Sequence, residues 1–535
     1  MASAATLTAL RAAARECQLA APSFSDEQAA QGLAITDVLR ACFLPEATWA
    51  QASSPLLRLP AELLAATILS RLDTRNLARL AATCRSLCRD ALTPQPPPRQ
   101  IGPMETELRR RAKARGLDVG STLPEGATSW VACLLKRDRR DAQMRQAPLA
   151  VGREHNIFVD KGGRLLTCGC DDARLPTLGH AVDRDINRGN TIGSPTPVPS
   201  MQDRRIVSVA TSNEHCLALS AEGEIYSWGS GDLGSLGHGD EGSRAVPCKI
   251  ESLSCIVRIA VGLVRTSAAV DEKGHLFTWG RANFYVLENG GQEQFDGPSG
   301  LGYDLDAKIP CQLTPKRVDA LLQDRVVGVA LGYGFTLAVT DAGAVFSFGF
   351  SRGGGLGHGS MESVVLPWQI TALVGTGRRF VAVAAGRCHA LALTEEGELY
   401  GWGHKSANGH GREECTPQRV AALIGQRVKL VDARDSASSA VTEMGELFTW
   451  GSSSGWGSLG HRRQENTPKR VAGLSRVEVA AVAMGACHML AADADGVVWA
   501  VGDRLALGLG ILSSADITAV PTPVPTLRVR VLNSP

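Results

Sequence analysis

The chain has 535 residues, 44% of them hydrophobic and 21% charged, and its 56 Lys+Arg and 54 Asp+Glu leave a formal charge of +2. This composition excludes a wholly disordered chain and a polybasic nucleic-acid or membrane tail, and no run of about 18 uncharged apolar residues is present to cross a bilayer. Fourteen scattered cysteines without an Asn-x-Ser/Thr sequon read as reduced thiols of an intracellular chain, cytoplasmic and/or nuclear.

Composition changes near residue 150. Only five of the 57 glycines and none of the 11 histidines precede residue 151, and the first 150 residues carry a charge of +6 against −4 for the rest. Residues 1–54 read as a leader; they are Ala-rich with Arg11 and Arg15, but Glu16 and a short, interrupted apolar run argue against a targeting peptide. Residues 55–93 form a small all-α module. Pro60 opens a helix that places Leu64, Ile68 and Leu72 on one face, and Asp73 is placed to cap a second helix carrying Leu77, Leu80, Ala81 and Cys84. The Pro94 to Pro98 cluster ends it. In this register Leu59-Pro60, Glu62-Leu63-Leu64, Ile68-Leu69, Leu72-Asp73, Leu77 to Leu80 and Cys84-Arg85 resemble the F-box. The resemblance implies a Skp-type adaptor and cullin scaffold as partners, with Leu59, Pro60, Leu63, Leu64, Ile68 and Leu69 making the adaptor contact. Residues 94–146 are the Pro-rich break and a helical connector; its Lys136 to Arg140 run, with Asp138 inside and Asp141 beside it, reads as a solvated helix face.

From residue 147 to 535 one unit repeats. Ile206-Val-Ser-Val-Ala210, His215-Cys-Leu-Ala-Leu219, Ile225-Tyr-Ser-Trp-Gly229 and Leu236-Gly-His-Gly239 are short strands punctuated by Gly turns. The aromatic-Gly step recurs at Trp228-Gly229, Trp279-Gly280, Phe348-Gly349, Trp402-Gly403 and Trp450-Gly451, with weaker copies at Cys168-Gly169 and Val501-Gly502. Seven units with a period near 50 residues and about four strands each predict a seven-bladed β-propeller, because a single small sheet must bury both faces against neighbours. The fold class is therefore mainly β. Gly386-Arg-Cys-His389, Gly397-Glu-Leu-Tyr-Gly-Trp-Gly403 and Leu356-Gly-His-Gly359 resemble the signals of the regulator of chromosome condensation repeat family. That resemblance implies a ring closed by pairing its two ends, with Leu527-Arg-Val-Arg-Val531 as the closing strand.

The repeat disarms several tempting motifs. Gly229-Ser-Gly-Asp-Leu-Gly234 leads into a turn where a dinucleotide site requires a helix, and Gly451-Ser-Ser-Ser-Gly455 is the loop after a Trp-Gly rather than a nucleophile elbow. No Gly-Lys dipeptide or His-Glu pair exists, so Walker A and zincin motifs are absent. His155, His215, His389 and His488 share one repeat position, while His180, His238, His358 and His461 share another, with His410 in a degenerate copy; these nine read as framework. Neither Cys168/Cys170 nor Cys84/Cys88 has a second pair at zinc spacing, so no metal, cofactor or catalytic residue is expected, and the chain reads as a non-catalytic adaptor.

Function is sought where the repeats differ. Loops that follow the same strand in successive blades share one face, which groups Arg281, Arg352, His404, Lys405 and Trp456 with Phe284 and Tyr285 of a long insertion running to Tyr303. Arg and aromatic residues are favoured interface anchors, so these seven form the candidate face for a protein substrate. The whole reads as the substrate-recognition subunit of a Skp-cullin-F-box ubiquitin ligase. The alternative is a guanine-nucleotide exchange factor or scaffold for a small GTPase, which some members of the repeat family are; chromatin binding is disfavoured by the charge of −4 over the repeats. In the sixth unit Asp432-Ala-Arg-Asp-Ser-Ala-Ser-Ser-Ala440 replaces the Gly-x-x-His signal, which predicts a distorted blade.

Overall fold

Strands that are apolar along their whole length bury both faces, and a repeat made of such strands becomes a sheet sandwiched between two others. The computed structural model describes residues 148–531, apart from 172–174, 181–190, 282, 288–292, 299, 306–308, 453–458, 462 and 504–516. The chain divides into two units, Met1–Ala142 and Gln143–Pro535. The six proposed adaptor-contact residues, Leu59 to Leu69, and the whole of residues 55–93 lie outside the described residues.

The second unit contains seven four-stranded antiparallel sheets, each built in chain order from strands a, b, c and d, with an extra two-stranded ribbon between c and d of blade 3. Blade 5 is representative, with Phe380–Ala385, His389–Thr394, Leu399–Gly403 and Glu414–Arg419. The first strands of the seven blades touch one another in an unbroken ring, which makes strand a innermost and the architecture a closed seven-bladed propeller. Strand b is buried at every residue in blades 2, 4, 5 and 6.

The core is divided among the blade junctions. Seven apolar clusters each draw residues from two neighbouring blades, such as Phe335, Leu337 and Val345 of blade 4 with Phe380, Ala390 and Trp402 of blade 5. Trp228, Trp279, Trp402 and Trp450 are fully buried, and burying a large apolar side chain of this kind stabilises by about 1.5–3 kcal/mol. Each indole also donates from Nε1 to a carbonyl in the preceding blade: Thr177, Ser235, Gly355 and Ala407, at 2.8, 3.0, 2.8 and 2.7 Å. One residue type thus supplies both the apolar filling and the polar tie between blades. The following Gly is required as well. Gly403 has φ +93° and its Cα lies so close to the Cys388 carbonyl that a Cβ would collide with backbone.

Two expectations are corrected. Ring closure does not use a sheet shared by the two ends: blade 1 is built wholly from residues 149–197, and the final strand, Ile517–Arg528, is the outermost of blade 7. The ends meet through a single bridge between Asp160 and Val529, through Arg530 donating its amide to Val159 at 3.0 Å, and through an apolar cluster joining Leu149, Val151 and Phe158 to Leu490, Val498 and Val529. The sixth blade is not distorted either. Val428–Arg434, Ala437–Thr442, Leu447–Gly451 and Glu465–Arg470 form a regular four-stranded sheet, because the turn loses its glycine and its histidine together.

Candidate functional site

Because the strands alternate in direction, the a–b and c–d connections of every blade emerge on one face, and the b–c turns and d–a connections on the other. The two loop sets are stitched together. The residue after each aromatic-Gly step donates its amide to the carbonyl just before the repeat histidine position: Ser230 to Glu214, Phe350 to Gly334, His404 to Cys388 and Ser452 to Ser436, each at 2.8 Å, and Arg281 to Arg265 at 3.0 Å. Arg281, Arg352, His404 and Lys405 lie at or just after the ends of strand c, on the side of the a–b and c–d connections.

Their surroundings differ. Arg281 ends strand c of blade 3 (Leu276–Arg281), beside Arg265, whose guanidinium pairs with Glu214 and, at 3.5 Å, with Asp232 of blade 2. Arg352, on the c–d loop of blade 4, and Lys405, after strand c of blade 5, are exposed. His404 places Nδ1 2.9 Å from the Ser406 hydroxyl and Nε2 3.8 Å from Glu413. Phe284 and Tyr285 lie in a strand of a two-stranded ribbon, Asn283–Leu287 with Glu293–Pro298, in which Phe284 is opposite Gly297 and Tyr285 opposite Phe295. Gly297 lies against Phe350 and Ser363, so the ribbon base rests on blade 4. Trp456 lies outside the described residues. At the foot of the insertion, Tyr303 donates its hydroxyl to the Thr278 carbonyl at 2.9 Å and carries the Lys316 ammonium 4.3 Å above its ring, which makes it part of the packing of blade 3.

The histidines of the Gly-x-x-His position are framework. The Nε2 atoms of His155, His215, His389 and His488 reach Thr211, Ser267, Ser438 and Asn156 of the next blade at 2.7, 2.8, 2.7 and 2.6 Å. Burial pushes all four down to about 3, so they are neutral near pH 7 and unsuited to proton transfer there. The second set, His180, His238, His358 and His461, contacts Thr167, Ser227, Ser347 and Thr449 of its own blade at 2.8–3.0 Å.

Sequence reasoning missed the centre of the ring. At Gly152 and Gly386 the histidine ring folds back over the glycine, so that a Cβ would collide with the rings of His155 and His389; in blade 2 Ser212 stands there instead, its hydroxyl 3.0 Å from His215 Nδ1. Blade 6 changes both positions at once. Ala437 removes the ring, and Arg434 stands where the other blades have Gly152, Ser212, Gly262, Gly332, Gly386 and Gly485. Arg434 crosses the channel and donates from Nη1 to the Thr211 carbonyl of blade 2 at 2.6 Å, while its Nε and Nη2 are shielded from solvent and hydrogen-bond to no described residue. Two residues earlier, Asp432 occupies a position that is alanine in every other blade, Ala150, Ala210, Ala260, Ala330, Ala384 and Ala483. Its carboxylate accepts the Met484 amide of blade 7 at 2.7 Å and the Ala433 amide at 2.9 Å. Burial raises this carboxyl above the usual range, against the opposing pull of those amides and of Arg434. The loss of Gly and His together was visible in the sequence; the reach across the ring was not.

Against known proteins, the model of the regulator of chromosome condensation (RCC1) repeat matches residues 222–266, 273–339, 342–393 and 444–492, and a second model of the same repeat matches 206–235 and 380–412. The chain is 31% identical over 284 residues to the ultraviolet-B receptor UVR8 of Arabidopsis thaliana, covering 52% of this chain and 58% of the receptor. It is 35% identical over 344 residues to the E3 ubiquitin-protein ligase HERC2 of Homo sapiens, covering 62% of this chain and 7% of the ligase. It is 30% identical over 334 residues to the mitochondrial RCC1 domain-containing protein RUG3 of Arabidopsis thaliana, covering 58% of this chain and 69% of that protein. Among solved structures, Prp20p of Saccharomyces cerevisiae, described with its binding to Gsp1p and histones, matches with a TM-score of 0.55 at 23% identity over 73% of this chain and 89% of Prp20p, a likeness of fold. The ligase similarity corrects one expectation. A chain read as a non-catalytic adaptor from its lack of enzymatic motifs has relatives named ubiquitin ligases, so missing local signatures do not place a repeat array of this kind outside an enzyme.

Proposed function

This chain belongs to the regulator of chromosome condensation (RCC1) repeat family, and on that premise we propose that it is the substrate-recognition subunit of a Skp-cullin-F-box ubiquitin ligase. Residues 55–93 dock the Skp-type adaptor through Leu59, Pro60, Leu63, Leu64, Ile68 and Leu69. The propeller face that carries Arg281, Arg352, His404 and Lys405 holds the protein to be modified. Tethering raises the effective concentration of substrate lysines near the conjugating machinery, so a face with few chemical groups suffices for recognition. The observation that carries the reading is the in-register run from Leu59-Pro60 to Cys84-Arg85, joined in one chain to a repeat array that also occurs in a ubiquitin ligase. A module of some 40 residues buries little of its own apolar surface, which supports a role for it in docking.

Calorimetry of the full chain with the Skp adaptor tests this. Micromolar or tighter binding, about −8 kcal/mol, that a Leu63→Asp/Ile68→Asp variant loses is the expected result. No binding by the folded wild type rejects it. The ribbon of Asn283–Leu287 and Glu293–Pro298 favours a second reading, an exchange factor or scaffold for a small GTPase, since it is an extra two-stranded sheet absent from the other six blades among the described residues. Release of labelled GDP from candidate GTPases is the corresponding assay. No helix among the described residues is long and apolar enough to cross a membrane, and the cytoplasm or nucleus is the proposed compartment.

A further inference from the structure

Seven copies of one junction make the propeller its own control. At the junction of blades 2 and 3, Asp232 on the c–d loop of blade 2 faces Arg265 on the a–b loop of blade 3, and Glu214 completes the pair, so the charges are satisfied internally. The corresponding places between blades 4 and 5 hold Arg352 on the c–d loop and Cys388 on the a–b loop. The cation is now on the other side and its acid is gone. Gly353 shows how tightly the three local loops converge: a Cβ there would lie 3.3 Å from the Cys388 Cβ and 3.6 Å from the His404 Cβ. Arg352, Arg387 and Lys405 are each the immediate chain neighbour of one of these three residues, and all three are exposed.

None of the three cations lies within ion-pair distance of a described carboxylate, although most arginines elsewhere on the described surface do: Arg164, Arg204, Arg244, Arg317, Arg325, Arg378, Arg379, Arg412, Arg419 and Arg470 are all paired. Two carboxylates are nearby. Glu413 approaches His404 at 3.8 Å, and Asp435 receives the Arg387 amide on its backbone carbonyl at 2.6 Å, leaving its side chain free of that bond. The Arg387 guanidinium lies over the Tyr333 ring, 5.3 Å from its centre, within cation–π range.

We propose that Arg352, Arg387 and Lys405 form the docking site for an acidic segment of the partner protein, whose Asp and Glu carboxylates replace the acid that this junction lacks. Guanidinium forks recognise carboxylates by paired N–H···O bonds, and cations without an internal partner have no ion pair to break when they bind them. The inference rests on the proposal that this face binds a protein, and it names the chemistry of that protein. It does not depend on residues 55–93.

The test is fluorescence anisotropy of a labelled octaglutamate peptide with the full chain. The expected results are saturable binding that weakens as salt rises from about 50 to 200 mM, at least tenfold weaker binding by Arg352→Glu/Arg387→Glu, and unchanged binding by Arg476→Glu, whose site follows the Ala472–Leu474 turn on the opposite face. The double reversal should also gain affinity for octalysine. Adaptor binding by the same double variant should equal wild type, which separates failure of this site from failure of the ligase reading. Equal octaglutamate affinity in wild type and double variant, or none in wild type, overturns the proposal. Binding of a phosphoserine peptide with none of octaglutamate also overturns it, in favour of phosphate recognition.

Discussion

The four buried histidines predict a steep loss of stability in mild acid. Each has its folded pKa pushed down to about 3 by burial, against an unfolded value near 6.5. For a depressed pKa the unfolded chain binds the proton first, so the histidine contribution is complete above pH 6.5 and is lost as pH falls towards 3. Between pH 7 and pH 5 the loss is about 2 kcal/mol per histidine, or about 8 kcal/mol for the set, comparable to the total stability of about 5–15 kcal/mol expected of a domain. Asp432 works in the opposite direction, because its raised carboxyl pKa favours the folded state as pH drops, but it is one group against the four fully buried histidines and the half-buried His180, His238, His358 and His461, which burial also lowers. Urea unfolding at pH 7, 6 and 5, followed by tryptophan fluorescence, measures the effect, since seven of the nine tryptophans lie in the repeats. His389→Gln removes one titrating group and should reduce the loss between pH 7 and 5 by roughly 2 kcal/mol. A flat profile from pH 7 to 5, or an unchanged loss in the variant, would refute the assignment of neutral framework histidines.

The compensation in blade 6 predicts non-additivity: Ala437→His alone should cost about 1–3 kcal/mol through crowding against Arg434, Arg434→Gly should relieve it, and a double-mutant cycle by urea midpoint should give a coupling of at least about 0.5 kcal/mol. Additive effects would show that the two positions do not meet. Trp402→Phe keeps most of the apolar filling but leaves the Gly355 carbonyl without its donor, so thermal unfolding should show a loss of about 1–3 kcal/mol. Trp368→Ala, on the outer strand of blade 4 and 57% exposed, should change stability by no more than about 0.5 kcal/mol in the same assay.

The ring was legible because its ties are local in sequence even though their partners are not. Trp-Gly announces a buried indole and a positive-φ turn; Gly-x-x-His announces a ring folded over a residue without a side chain. Both signals recur at the blade period, so the fold followed from counting them. The partners were invisible, since His155 meets Thr211 across 56 positions and Arg434 meets Thr211 across 223, and no local spacing encodes such pairs. The candidate face was legible only in outline. Arg352, His404 and Lys405 follow from equivalent loops, whereas Arg387 sits on a different loop and was passed over as part of a framework signal, and the absence of acids beside it appears only in three dimensions.

Blade 6 shows why a broken repeat is not a broken fold. Losing the framework histidine removes one tie between blades 6 and 7; Asp432, in a place where every other blade has alanine, restores that tie from the innermost strand by accepting the Met484 amide. Arg434 adds a second tie, to the far side of the channel, that no other blade makes among the described residues. A ring is tolerant of such exchange because each blade needs only some polar link to each neighbour, and the apolar junctions supply most of the adhesion. The same tolerance frees junctions from strict internal charge pairing. Between blades 2 and 3 the pairing is kept; between blades 4 and 5 Arg352 and Arg387 are left facing solvent without the acid that Asp232 supplies to Arg265. Cations without an internal acid add no ion pair to the fold, so the ring's own repetition points to this junction, before the others, as the place where another protein's carboxylates belong.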